Sequence, residues 1–260
     1  MKNLLLFVLA AGAAFGQTKS LSCDHDNYSR GRLVSNCDMR EQTLAYAGRL
    51  SVDGGVNGGV SVKGWDGGSV LVRSRVEAQG VDEGAAKGIA SQIRVDASAG
   101  QVHASGPEMT RDSNWSVSYE IFVPRNADLS LKTHNGGVSI ADVRGNIQFE
   151  ALNGGVNLKR LGGDVEGKTQ NGGLNIELAG TRWDGTKLDA RTTNGGINIS
   201  MPENYSAHFE TATVNGHLNT AFPMTVHGNI NNKKLSTDLG SGGPTIHVET
   251  INGGVNLKKI

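Results

Sequence analysis

NGGVNLKRLGGDVEGKTQNGGLNI, residues 153–176, contains one motif twice, with eighteen residues between the two starting points. Close copies occur at THNGGVSI (133–140), TTNGGINI (192–199) and TINGGVNL (250–257). Aligned on asparagine, the copies fall at positions 135, 153, 171, 194, 215 and 252, and the last interval is long enough to contain one more degenerate copy. Repetition of this kind predicts a repeated architecture, since a catalytic loop is needed only once.

A finer unit of nine residues, with glycine in second place, divides each eighteen-residue repeat into two similar arms. In Val156-Asn157-Leu158 the two aliphatic side chains point one way and the asparagine the other, as the period of a strand requires. Stacked coils would align these aliphatics in one interior that a single coil cannot bury. We therefore predict an all-β fold, a parallel β-solenoid of short strands with one short helix in its N-terminal half. An antiparallel meander is the alternative, because Asn-Gly also favours hairpin turns.

The Asn-Gly pairs are predicted to form the corners between arms. Asparagine and glycine tolerate a positive φ better than other residues, and a coil must turn sharply at the same place in each round. The predicted turn residues are Asn135, Gly136, Asn153, Gly154, Asn171, Gly172, Asn194, Gly195, Asn252 and Gly253.

The first sixteen residues, MKNLLLFVLAAGAAFG, combine Lys2 with an apolar run that is too short to cross a bilayer core of about 30 Å. Residues 1–16 are therefore predicted to be a cleavable signal peptide, with no transmembrane segment left after cleavage. The predicted location is secreted or periplasmic, at the cell envelope. A lipid anchor is not expected, because the first cysteine stands six residues beyond Gln17.

The chain contains two cysteines, Cys23 and Cys37. In an exported protein such a pair predicts a disulfide, here one that staples an N-terminal segment, 17–43. A zinc site is the alternative, but it needs more ligands than the neighbouring Asp24, His25 and Asp26 supply in a spaced set.

The remaining chain divides into an N-terminal β region, 44–126, and the repeat solenoid, 127–260. Alanine-rich VDEGAAKGIASQI (81–93) predicts the short helix, and strands are predicted at 93–97, 100–105 and 115–123. This region is predicted to cap one end of the stack, because a solenoid must stop edge-to-edge growth.

NGGVSVKGWDGGSVLV (57–72), followed by the alanine-rich helix and the recurrent NGG[VIL]N[IL] strands, resembles the bacterial putative-adhesin family of exported β-strand repeat proteins, which is related to the adhesin-like head GIN domains. The resemblance covers most of residues 44–260. It implies an exported, solenoid-like all-β fold at the cell envelope, and it brings no catalytic residues with it.

Charge and motifs argue against several kinds of chemistry. Twenty-five basic and 25 acidic residues give no net charge, so a nucleic-acid partner is not expected. The seven histidines have no metal-ligand spacing, and Gly162-Gly163-Asp164 is only a fragment of a calcium-binding nonapeptide, so no metal or other cofactor is predicted. The pairs Asp164 with Glu166 and Asp184 with Asp189 could serve glycoside cleavage, but surface charges explain them better.

Two polar columns run along the predicted stack. The first is expected to face outward and is the candidate interaction face: Ser139, Asn157, Asn175, Asn198, Asn219 and Asn256. Its asparagines either hydrogen-bond to one another or offer a flat polar surface to sugars or another protein. The second is a row of hydroxyls, typical of ice-binding surfaces unless it serves the corners: Thr133, Thr169, Thr192, Thr213 and Thr250.

The function predicted from these features is that of a secreted or envelope-associated, non-enzymatic putative adhesin or surface-interaction protein whose partner is a surface glycan or protein. A self-associating structural scaffold that joins through its coil ends is the alternative. A polysaccharide-acting β-helical enzyme is favoured less.

Overall fold

The computed structural model describes residues 21–23, 32–222 and 233–260, so the predicted signal peptide lies outside the described residues. In chain order the elements are β1 (Val34–Ala45), β2 (Arg49–Asp53), β3 (Val60–Trp65), β4 (Ser69–Gly80), α1 (Glu83–Gln92), β5 (Arg94–Ser98), β6 (Gln101–Ser105), β7 (Asn114–Pro124), β8 (Asp128–Thr133), β9 (Val138–Ala141), β10 (Arg144–Ala151), β11 (Val156–Lys159), β12 (Gly162–Asn171), β13 (Leu174–Glu177), β14 (Lys187–Asn194), β15 (Ile197–Met201), β16 (Ala207–Thr213), β17 (Leu218–Thr220), β18 (Lys234–Leu239), β19 (Thr245–Asn252) and β20 (Val255–Lys259).

These strands form two ten-stranded sheets whose inner faces enclose one hydrophobic core. Sheet A has the order β1-β4-β7-β3-β9-β11-β13-β15-β20-β17, and sheet B has the order β18-β16-β19-β14-β12-β10-β8-β2-β6-β5. A coil, or rung, consists of one strand of sheet B, an Asn-Gly-Gly corner or its equivalent, and one strand of sheet A. The described residues form seven rungs in this stacking order: β2–β3, β8–β9, β10–β11, β12–β13, β14–β15, β19–β20 and β16–β17.

Neighbouring rungs are parallel and in register, as the predicted solenoid requires. Val156 lies beside Leu174 and Leu174 beside Ile197, and all three side chains are fully buried. The same alignment holds on the other sheet, where Val165 lies between Ile147 and Leu188. The prediction of a parallel solenoid is confirmed, and the meander is wrong for the repeat.

Antiparallel strands occur at the two ends of the stack. Beyond rung 1, sheet A continues through β7, β4 and β1, of which β4 is antiparallel to both neighbours, and sheet B continues through β6 and β5. The predicted helix is α1, which packs against β4 and β1. Its Asp82 cap accepts a hydrogen bond from the Ala85 amide at 2.7 Å, and the Arg40 guanidinium of β1 donates to the Ile93 and Ala90 carbonyls at its far end.

The predicted disulfide joins Cys23 to Cys37 of β1, with the two Cα atoms 5.8 Å apart. The sequence predicts that the solenoid begins at residue 127. In the structure, rung 1 (β2–β3) precedes this residue in both sheets and rung 2 (β8–β9) follows it. No helix in the part of the chain that the structure describes has the length and apolar character needed to cross a membrane.

The order of the last rungs differs from the order of the chain. The rung formed by 207–220 lies at the end of the stack, and the C-terminal rung, β19–β20, is inserted between it and the rung of β14–β15. In the outward column Asn256 therefore stands between Asn198 and Asn219. The described part of the 37-residue interval between repeats contains β18, an antiparallel strand on the edge of β16, where the sequence suggested another copy of the motif.

Candidate interaction faces

The predicted outward column lies in the middle of the outer face of sheet A. Its asparagine amides form a single line of hydrogen bonds: Asn175 donates to Asn157 at 3.1 Å, Asn198 to Asn175 at 3.1 Å, Asn256 to Asn198 at 3.2 Å, and Asn219 to Asn256 at 3.0 Å. Ser139 continues the column beside Asn157 in register. The period-two alternation places these side chains outside because the flanking aliphatics fill the core.

The hydrogen bonds of this asparagine row do not exhaust its polar groups. A primary amide offers two N–H donors and an oxygen with two lone pairs, and an interior member of the row uses one of each on its neighbours. Each rung therefore presents a further N–H and a further lone pair, repeated at the strand spacing of about 4.8 Å. The face is a periodic array of donors and acceptors with fixed orientation.

A second asparagine ladder runs along the corners, and it includes one member that the sequence repeat did not identify, Asn57 of rung 1. From the second member onward, each side-chain amide donates to the side-chain oxygen of the asparagine in the previous rung over 2.7–3.1 Å. The order is Asn57, Asn135, Asn153, Asn171, Asn194, Asn252 and Asn215. The predicted corner positions are therefore joined from rung to rung by their side chains.

The physical reason predicted for the corner glycines is wrong. The residues with positive φ lie elsewhere in the described chain, and the Asn-Gly-Gly corners contain none of them. Glycine is required because rungs approach closely there: a Cβ on Gly172 would lie deep inside contact distance of the Gly154 carbonyl, and Gly154 stands in the same relation to Gly136.

The threonine row serves the corners and is not an ice-binding surface, because its side chains point inward. Thr133, Thr169, Thr192, Thr213 and Thr250 are all at most 4% exposed. Each hydroxyl donates to a corner glycine carbonyl at 2.7–2.8 Å, such as Thr192 to Gly172 of the preceding rung. Ala151 has no hydroxyl to donate to the Gly136 carbonyl of the preceding rung. Thr133 donates to this carbonyl, which belongs to its own rung. These hydroxyls fasten the corners and form no external surface.

The four carboxylates that could have served glycoside cleavage are engaged in contacts on or beside the outer face of sheet B. Glu166 pairs with Lys187 at 2.7 Å, Asp184 pairs with Arg144, and Asp189 contacts Arg191 at 2.9 Å.

The electrostatics of Asp164 and Asp189 do not suit proton donation. Hydrogen bonds from Thr186 hold the pKa of Asp164 below its usual range. For Asp189, burial alone would raise the pKa, but hydrogen bonds from Arg191 and His247 outweigh it and the net shift is downward. A general acid in glycoside hydrolysis needs a raised pKa, so neither aspartate suits that role.

A shallow groove of about 590 Å³ follows the edge of sheet B where it meets the corners. The residues before the turn asparagines form its inner side: His134, Leu152, Gln170, Thr193 and Ile251. The outermost row of sheet B supplies charges of both signs along it: Lys132, Glu150, Lys168, Arg191 and Glu249. Sequence reasoning did not identify this groove, although the residue before each turn asparagine marks one column of it. Among the described residues no group of three or more histidine, cysteine, aspartate or glutamate side chains is arranged to hold a metal ion.

Stacked parallel rungs, asparagine ladders and an inward hydroxyl row define a two-sheet β-solenoid with an ordered polar exterior. The chain belongs to the Toastrack DUF4097 family, whose model matches residues 50–258. This agrees with the resemblance to the putative-adhesin group of β-repeat proteins.

Three solved structures align with most of this chain. A putative cell adhesion protein from Clostridium sporogenes is 12% identical over 86% of this chain and 100% of its own, with a TM-score of 0.47. A putative adhesin from Bacteroides fragilis is 12% identical over 86% and 97%, with a TM-score of 0.30. A putative adhesin from Parabacteroides merdae is 7% identical over 85% and 96%, with a TM-score of 0.29. A search of curated proteins found no match.

Proposed function

We propose that this protein is a secreted or envelope-associated, non-enzymatic surface-interaction protein that binds a surface glycan or protein through the asparagine row of sheet A. The disulfide supports an oxidising location outside the cytoplasm, where such bonds persist. The engagement of the candidate catalytic carboxylates by cations and hydroxyls supports a non-enzymatic role.

The single observation that carries this proposal is the hydrogen-bonded line from Asn157 to Asn219. Its amides are held in one orientation by their neighbours. Little side-chain entropy is therefore lost when a ligand binds to them. A chain of sugars or an extended polypeptide also presents polar groups at regular intervals, and it could bond to successive rungs together. Contacts that are weak individually would then add along the row.

The test is binding of the mature protein to a glycan array and to envelope extracts, with Asn175→Lys and Asn198→Lys introduced together. The two lysines replace adjacent members of the row and add bulk and charge to its centre. We expect the specific signal to fall by at least tenfold. The matched control is Ser130→Lys with Gln148→Lys, which places the same charges on adjacent rungs of sheet B.

The two double variants separate the faces. Loss in the asparagine variant together with retention in the sheet B variant supports the proposal. The reverse result would move the binding site to the charged face and its groove, and an array and extract with no hits would count against recognition of either partner class.

The scaffold alternative predicts a different measurement. A chain that joins through its coil ends should show a molecular mass in solution that rises continuously with concentration. A mass that stays at one chain across the range in which ligand binds favours the interaction role.

A further inference from the structure

The C-terminal rung, β19–β20, occupies an interior slot although it is the last part of the chain. On sheet B it lies between β14 and β16, and on sheet A between β15 and β17, with parallel hydrogen bonding on both sides. Its core side chains are buried, including Ile246 and Val248 at 0% exposure and Val255 at 1%.

The two walls of this slot present complementary chemical groups, acceptors on the rung of β14–β15 and donors on the rung of β16–β17. On one side Thr250 donates to the Gly195 carbonyl at 2.8 Å, and on the other Thr213 donates to the Gly253 carbonyl at 2.7 Å. Asn252 likewise bonds at 2.7 Å to both Asn194 and Asn215. The slot therefore accepts a segment that contains a threonine, an Asn-Gly-Gly corner and an aliphatic-Asn-aliphatic strand in a fixed register.

Because the walls are complementary, they also provide a state without the C-terminal rung. The rung of β16–β17 carries the same corner hydroxyl and amides as the C-terminal rung, with Thr213 in register with Thr250, Asn215 bonded to Asn252 and Asn219 in register with Asn256. Its core positions are less apolar, since Thr211 and Thr220 stand beside Val248 and Leu257. It can therefore stack directly on the rung of β14–β15. Withdrawal of residues 245–259 would leave a shorter but complete stack.

The connection that leads into the slot has the features of a hinge. Between β18 and β19 lie only residues 240–244, GSGGP, and Gly240, Gly242 and Gly243 have φ values of +55°, +72° and +139°. Extended, five residues reach about 17 Å, whereas two strand spacings are only about 10 Å. The loop is therefore folded back within the single chain. When extended, it is long enough to carry the C-terminal rung away from its own slot.

We propose that the slot between the rungs of β14–β15 and β16–β17 is a strand-exchange site that accepts residues 245–259 of a second copy of this chain. Two copies would trade C-terminal rungs reciprocally. Every rung-to-rung contact is the same in the exchanged pair, so the equilibrium depends on protein concentration and on the conformation of the hinge. The inference goes beyond the proposed function, since the asparagine row keeps its composition in both forms.

The test adds one cysteine to each chain beside the native disulfide, at Ser200 or at Lys258, which are register partners on the outer face of sheet A. Full-length Ser200→Cys and Lys258→Cys chains are mixed at high concentration, incubated in mild denaturant, diluted and oxidised. Neighbouring strand positions lie within disulfide range, so exchange yields a covalent heterodimer on a non-reducing gel. The matched control pairs Lys63→Cys with Lys258→Cys, because Lys63 lies at the equivalent position of rung 1, far along the stack.

Two further variants keep the experiment decisive. Ser200→Cys with Lys258→Cys in one chain should close an internal bond when oxidised before mixing, which verifies the register and should abolish exchange. Gly242→Ala strains the folded-back hinge at its positive φ and should raise the dimer fraction several-fold. A heterodimer yield equal to that of the Lys63 control, in a protein whose internal bond forms normally, would overturn the proposal.

Discussion

Two kinds of corner in the stack solve the same geometric problem by different means. At the Asn-Gly-Gly corner the backbone keeps negative φ, and rungs approach so closely that no Cβ fits between Gly172 and Gly154. At the opposite corner, after the sheet A strands, Asp142, Arg160 and Gly180 turn the chain with φ values of +59°, +49° and +78°. A Cβ on Gly180 meets nothing within 4 Å. The neighbouring rung thus demands glycine at the first corner, whereas the second corner needs only a positive φ, which Asp142, Arg160 and Gly180 all adopt.

Side chains complete this contrast. The first corner is fastened by buried threonine hydroxyls, whereas the second carries a bidentate ion pair in which Arg160 contacts both oxygens of Asp142 at 2.7 and 2.8 Å. Buried neutral hydrogen bonds and partly exposed ion pairs differ in their energetic weight and in their dependence on pH.

The largest expected effect distinguishes the two uses of glycine. Gly172→Ala should lower the free energy of unfolding by about 3 kcal/mol or more, because its Cβ collides with backbone that can move only by separating two rungs. Gly180→Ala should cost only about 1 kcal/mol, the strain of a left-handed conformation in open space. Urea unfolding midpoints at unchanged slope give both values. Equal losses of unfolding free energy in the two variants would contradict the distinction between the corners.

The second prediction concerns the hydroxyls. Thr192→Val keeps the side-chain shape but leaves the Gly172 carbonyl without its 2.7 Å donor, so we expect a loss of about 1–2 kcal/mol. Thr193→Val is the control, since this neighbouring side chain lines the surface groove and should change stability by less than about 0.5 kcal/mol. If both variants unfold at the same urea concentration, the buried row contributes nothing specific to the corner.

The smallest effect is expected at the ion pair of the second corner. Hydrogen bonding from Arg160 holds the pKa of Asp142 below its ordinary value against the opposing effect of burial. A depressed pKa adds stability above the unfolded value of about 3.9 and loses it as pH falls through the folded value. Arg160→Gln should therefore cost about 0.5 kcal/mol near pH 7, and the difference from the unmodified protein should vanish in acid below that window.

The control for the ion pair is the salt dependence at neutral pH. Added salt should narrow the same gap, because the Arg160 side chain is 42% exposed and its charge is screened. A gap that persists unchanged in acid and in high salt would mean that Arg160 acts by packing.

Much of the rung could be predicted because its rules are local. Alternation in Val156-Asn157-Leu158 determines which side chains enter the core. The recurrence of that triplet determines that the core side chains of successive rungs align. The helix at 81–93 and the pairing of Cys23 with Cys37 were accessible for the same reason. The groove and the buried threonines were not, because a residue beside a corner can turn inward or outward according to where the next rung offers an acceptor.

The sequence alone determined the repeated rung, its two arms, its apolar interior and its outward asparagines, since each follows from a period of two and a corner motif within some eighteen residues. Only the tertiary structure decided which rung lies above which, why the corner tolerates no Cβ, and where the threonine hydroxyls find partners. The physical reason is that a local sequence pattern cannot distinguish rungs that share it. Contacts between rungs depend instead on the backbone of a neighbour that is distant in the chain. The C-terminal rung shows this most directly, because its interior place in the stack has no counterpart in its place at the end of the sequence.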